Sequence, residues 1–83
     1  MSEKILKFSA EWCMPCKMLT KAISKEDLGI PIEEVDIDEN RQLMSEYNVR
    51  SIPTLVYLKD GHEVSRIVGS KTIADIKKWI DLN

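Results

Sequence analysis

The sequence predicts an α/β fold, a mixed four-stranded sheet flanked by three helices in the order β-α-β-α-β-β-α. Three observations predict it. Apolar positions switch along the chain between the two-residue period of strands and the 3.6-residue period of helices. The early segments alternate strand and helix, which requires a parallel pair joined by a right-handed crossover. Later, Lys59-Asp60-Gly61-His62 separates two strand-like runs, and Asp-Gly favours the tight turn of an antiparallel hairpin.

The elements follow in chain order. Residues 4–9 (Lys4-Ile5-Leu6-Lys7-Phe8-Ser9) read as a strand, and Pro15 to about Ser24 as a helix with Met18, Leu19, Ala22 and Ile23 at offsets of three and four. Pro31 leads into a second strand over 32–37. Asp38-Glu39-Asn40 supplies cap residues for a short helix through Leu43, Met44 and Tyr47. Thr54 to Leu58 is β-branched and aliphatic, a buried strand, and Glu63 to Val68 returns beside it. Thr72 with Asp75 three residues on has the pattern of a capping box, and Ile73, Ile76 and Ile80 give the last helix its inner stripe. Trp79, Tyr47 and the methionines read as core or half-buried surface.

Eighty-three residues suit one domain, 1–83, because a separate second core would need more chain. At 43% hydrophobic the chain is too apolar for disorder. Its net charge of −2, with both signs interspersed, gives no polybasic surface for nucleic acid or membrane. No apolar run approaches the roughly 20 residues of a membrane span. The opening residues lack the apolar stretch of a signal peptide. The expectation is a cytoplasmic monomer with neither nucleic-acid nor membrane partners.

The chemistry concentrates at Trp12-Cys13-Met14-Pro15-Cys16, where a strand ends and a helix begins. A helix start presents unpaired N–H groups and the positive end of its dipole, which favour a thiolate at Cys13. Pro15 suits the first turn, where its missing N–H has no partner to lose. The three-residue spacing puts Cys16 within bonding reach of Cys13, and Lys17 adds positive charge. Cys13 is then the nucleophile and Cys16 the resolving thiol of dithiol–disulfide exchange. Two other readings remain. A zinc site needs about four ligands, and the only further soft ligand is His62 in the hairpin, so zinc would require a dimer. A purely structural disulfide would close too short a loop to add much stability. No metal is expected.

These residues resemble the thioredoxin family. The resemblance rests on Trp12-Cys13-Met14-Pro15-Cys16-Lys17, Arg50-Ser51-Ile52-Pro53-Thr54, Val35-Asp36-Ile37-Asp38-Glu39-Asn40, Lys59-Asp60-Gly61 and Val68-Gly69, in the family's order and spacing. It covers nearly the whole chain but lacks the first strand and helix of full-length members, so the protein resembles a short thioredoxin of glutaredoxin size. The resemblance implies a cis Ile52–Pro53 peptide facing the cysteines. It also implies a substrate surface formed by Trp12, Met14, Pro15, Ile52, Pro53 and Gly69, with a redox-active disulfide between Cys13 and Cys16.

The departures are specific. Met14 replaces the usual glycine, Lys21 a helix-kinking proline and Ser9 a common tryptophan. Lys7 stands where the family carries a buried acid, and Glu34 where that acid's lysine partner stands. The expectation is a charge-reversed pair, with Glu34 as candidate proton acceptor for Cys16 and Lys7 as its partner. A lysine buried alone would be costly. The alternative has Lys7 snorkelling to solvent and Glu34 on the surface, with Asp36 or water taking the proton.

By this resemblance the protein reduces protein disulfides, binds no cofactor of its own and receives electrons from a flavin-dependent thioredoxin reductase. Two alternatives are a glutaredoxin-like dedicated electron donor to ribonucleotide reductase and a binding module that uses the fold as a scaffold. The intact cysteines argue against the module as sole role. Trp12 before the motif, and the absence of a proline–tyrosine pair within it, argue against glutathione dependence.

Overall fold

The computed structural model describes residues 2–83. Seven elements follow the expected order: β1 (Glu3–Ser9), α1 (Met14–Ser24), β2 (Ile32–Asp36), α2 (Arg41–Glu46), β3 (Thr54–Lys59), β4 (His62–Val68) and α3 (Ile73–Leu82). They build one four-stranded sheet in the order β2-β1-β3-β4. β1 pairs in parallel with β2 and antiparallel with β3, and β3 pairs antiparallel with β4.

Side-chain alternation along the two inner strands feeds two cores. Ile5, Leu55 and Tyr57 pack with Leu19 of α1 and with Ile76 and Trp79 of α3. Leu6, Phe8, Val56 and Leu58 join Val35 and Val49, with Leu43, Met44 and Tyr47 packed against them. Thus α1 and α3 cover one face and α2 the other, as a period of two in the strands requires.

The helices depart from the sequence reading in two places. Met18 is 69% exposed, because the buried residues of α1 are Cys16 and Leu19, with Ala22 and Ile23 half-buried. At about 100° per residue, Met18 lies roughly 200° around the helix from Cys16 and faces out. Asn40 is the N-cap of α2, yet its side chain makes no cap bond; its Nδ2 donates to the Asp36 carbonyl at 3.0 Å. In α3 the Thr72 hydroxyl accepts the Asp75 N–H at 3.1 Å, and Trp79 is buried beside Ile76, its Nε1 donating to Ser65 Oγ at 2.8 Å.

The hairpin has the conformation that Asp-Gly favours, with φ of 51° at Asp60 and 85° at Gly61. Positive φ costs a residue with a Cβ about 1–2 kcal/mol. Gly61→Ala should therefore lower stability by about that amount, seen as a lower urea midpoint with an unchanged slope. A midpoint equal to wild type would show that the turn does not need glycine.

Candidate active site

The site begins where β1 runs out. After Ser9, residues 10–12 turn the chain so that Cys13 N–H donates to the Ala10 carbonyl at 3.1 Å, and α1 opens immediately. Cys13 is the N-cap, with extended backbone, and its Sγ accepts the Cys16 N–H at 3.3 Å. The two cysteines form a disulfide, their Cα atoms 5.2 Å apart. Both sulfurs are thus bonded to each other, and among the described residues no cluster of three or more His, Cys, Asp or Glu could hold a metal. Cys13 is 7% exposed and Cys16 1%.

Around the disulfide the surface is apolar. Trp12 and Met14 are 67% and 64% exposed, and Pro15 is exposed beside them. The Trp12 indole is fixed by a 2.9 Å hydrogen bond from Nε1 to Asp38 Oδ2. Ordinary packing therefore does not account for Trp12. Half-buried Ile52 packs against the cluster of Ala10, Cys13 and Cys16. The Ile52–Pro53 peptide is cis. The Pro53 ring is fully buried, contrary to its expected place on the surface; what it offers its neighbours is a carbonyl, which accepts the Gly69 N–H at 2.8 Å. Gly69, at φ 89°, brings the end of β4 onto this loop.

Beneath the disulfide the chemistry is polar. Lys7 and Glu34 are direct partners in the β1–β2 register, and Lys7 Nζ donates to Glu34 Oε1 at 2.6 Å. The Lys7 side chain is 1% exposed and that of Glu34 52%, so Lys7 does not reach solvent and its partner does. Lys7 Nζ also donates to Thr20 Oγ1, and the Thr20 hydroxyl donates to the Cys16 carbonyl at 3.0 Å. Buried Ser9 donates to Glu34 Oε1 at 2.7 Å. Burial pushes the Glu34 carboxyl up. Hydrogen bonds from Lys7 and Ser9, the Lys7 charge and the Thr20 hydroxyl together outweigh that and hold it below its ordinary 4.5. Glu34, Ser9, Thr20 and Cys16 line one cavity of about 430 Å³, whose wall also includes Asp36.

The sequence reading brought together Cys13, Cys16, Trp12, Lys7 and Glu34, and missed Ser9, Thr20 and Asp38 as members of the site. For Thr20 a signal existed, since it lies four residues beyond Cys16 on one helix face. Ser9 and Asp38 carry no local signal.

The comparisons with known proteins agree with this arrangement. The family model described as Thioredoxin matches residues 2–82. The chain is 49% identical over 79 residues to a thioredoxin of Chlamydia trachomatis, covering 92% of this chain and 78% of that one. It is 46% identical over 70 residues to one from Chlamydia pneumoniae, covering 81% and 69%. Among solved structures, a mutant thioredoxin from Halobacterium salinarum superposes with a TM-score of 0.90 at 35% identity, covering 98% of this chain and 74% of that one.

The lowered Glu34 value fixes a pH dependence. A carboxyl whose folded pKa is depressed stabilises the fold above its unfolded pKa, and that contribution fades as pH falls through the folded value. The stability gap between wild type and Glu34→Gln should be constant near neutrality and shrink on acidification below about 4.5. Urea titrations across this range check it, and a gap that widens in acid reverses the sign.

Proposed function

The chain belongs to the thioredoxin family, and from that premise we propose how its residues divide the exchange of a protein disulfide. The protein is a thiol–disulfide oxidoreductase. Cys13, as thiolate, attacks one sulfur of the substrate disulfide; that S–S bond breaks, a mixed disulfide forms and one substrate thiol leaves. Cys16 then attacks Cys13 Sγ, the second substrate thiol leaves, and the Cys13–Cys16 disulfide is the product. The observation that carries this assignment is the position of Cys13 at the N-cap of α1, where its sulfur already accepts a backbone N–H and is the more exposed of the pair. A thiolate there gains the same bond and the positive end of the helix dipole.

Trp12, Met14, Pro15, Ile52 and Gly69 form the surface on which the substrate segment lies. Pro53 supports it from below by tying Gly69 to the Ile52 loop. Glu34 takes the proton of Cys16 across the shared cavity, and the Lys7 charge keeps it ionised. A carboxylate held below its ordinary value is a transfer point more than a store, so the proton passes on to solvent at its exposed side.

Electrons come from a flavin-dependent thioredoxin reductase in this reading, and the substrates are disulfide-bearing proteins, ribonucleotide reductase among the candidates. Work in the cytoplasm fits two cysteines that cycle between thiol and disulfide. Among the described residues no helix is long and apolar enough to cross a membrane.

Trapping tests the roles. Cys16→Ser should accumulate a mixed disulfide with an insulin substrate, visible by mass spectrometry, whereas Cys13→Ser should not. Accumulation in Cys13→Ser alone reverses the assignment. In turnover assays a thioredoxin reductase system should support insulin reduction at least tenfold faster than a glutathione system. The opposite ratio would favour the glutaredoxin-like alternative.

A further inference from the structure

We propose that Lys7 is a positioning residue for the redox couple: its buried ammonium shifts the equilibrium toward the dithiol by favouring the charge that Cys16 acquires as thiolate. This rests on the reading of Cys16 as the resolving thiol.

Lys7 heads the fully buried side chains of the protein, in the middle of a strand paired on both sides. Lysine almost never occupies such a place. Stability does not account for it, since replacing a buried ion pair by well-packed apolar side chains is often neutral or stabilising. Ile5, two residues before Lys7 on the same face, shows that this layer accepts an aliphatic residue. Buried charges of this kind gather at functional sites.

Two hydrogen bonds link the charge to the backbone of Cys16. Lys7 Nζ donates to Thr20 Oγ1, Thr20 donates to the Cys16 carbonyl, and Cys16 is 1% exposed on the same side of the sheet. The counter-charge is placed differently. Glu34 is half-exposed, so water screens its carboxylate far more than the ammonium. The pair therefore does not cancel as seen from the interior. The other charged groups lining the cavity are Glu11, Lys17, Lys21 and Asp36; the first three are exposed and Asp36 is half-exposed. Lys7 does not line the cavity; it is buried behind the wall, bonded to Thr20 and Glu34.

The balance of the step sets the direction of the effect. The disulfide and two glutathione thiols give the protein dithiol and glutathione disulfide, with two electrons moving to the protein sulfurs. When Cys16 then ionises, its proton leaves by Glu34 and solvent, and the thiolate remains. An ammonium nearby stabilises that thiolate and does nothing comparable for the neutral disulfide, so it favours reduction. The protein becomes a milder reductant than it would be with an apolar residue at this position.

Equilibration with glutathione buffers reads this directly. Lys7→Met should lower the equilibrium constant for reduction about tenfold, equal to about 30 mV for two electrons. The deficit should be small near neutrality, where Cys13 carries the thiolate, and grow to this size above about pH 8.5, as Cys16 ionises. Lys7→Arg should restore most of the wild-type constant, which lost packing alone would not predict. The double variant Lys7→Met, Glu34→Gln leaves no orphaned charge and serves if the single variant folds poorly. It should show the same deficit. A double variant that still reduces insulin, with a wild-type constant at every pH, overturns the proposal and leaves the exchange reading standing. If the Cys13→Ser and Cys16→Ser trapping pattern is reversed, the exchange assignment fails and the proposal falls with it.

Discussion

β1 is hydrogen-bonded on both sides, to β2 in parallel and to β3 antiparallel, so each side chain from Ile5 to Ser9 must be absorbed by one layer or the other. Leu6 and Phe8 go to the α2 side, and Ile5 to the side of α1 and α3. Lys7 and Ser9 share the face of Ile5 by the period of two. That places an ammonium and a hydroxyl under α1, where an apolar layer would otherwise continue. The bonded group of Lys7, Ser9, Thr20 and Glu34 follows from this constraint. Lys7 needs partners, the parallel register puts Glu34 opposite it, and α1 brings Thr20 down onto it.

The same strand delivers the chemistry at its end. Cys13 follows the last residue of β1 by four positions and caps α1, so the central strand positions the proposed nucleophile directly. Sites held by such elements keep their geometry better than sites on free loops. The remaining walls come from the start of β3 and the end of β4, joined by the bond from Gly69 N–H to the Pro53 carbonyl. Three separate stretches of sequence thus meet above the disulfide. The surface they form is apolar with one polar tether, that of Trp12 to Asp38.

What was legible in the sequence was local. The cysteine spacing, the Asp60-Gly61 turn, the Thr72 cap and the strand alternation each depend on neighbours within a few residues, and each stands in the structure. The Lys7–Glu34 pair was reached through resemblance to a family, since nothing local joins residues 27 apart. Ser9 shows why the rest was hidden. Its partner Glu34 is 25 residues away, and a serine at the end of a strand reads equally well as a loop residue. Met18 failed for a different reason. Offsets of three and four fit two overlapping stripes on α1, and only the position of Cys16 under the sheet selects the one through Leu19. The resemblance implies Pro53 in the substrate surface, but its ring turns inward and Ile52 packs against the cysteines.

The disulfide therefore sits between two environments with opposite demands. Above it, Trp12, Met14 and Pro15 expose apolar area that would gain free energy, at roughly 25 cal/mol per Å², if the proposed substrate segment covered it. Such covering would remove water from Cys13 and make the loss of the Cys16 proton upward harder. The proposed exchange then needs a proton route that does not cross this surface, and the cavity lined by Cys16 and Glu34 is the candidate for it. Surface ion pairs such as Lys4–Glu33 contribute little either to stability or to this chemistry, since both partners are exposed to a comparable degree and water screens them equally. Lys7–Glu34 differs in having one end dry and one end wet. In the proposed mechanism that asymmetry would let a single pair hold a field at the buried sulfur while passing protons at the rim.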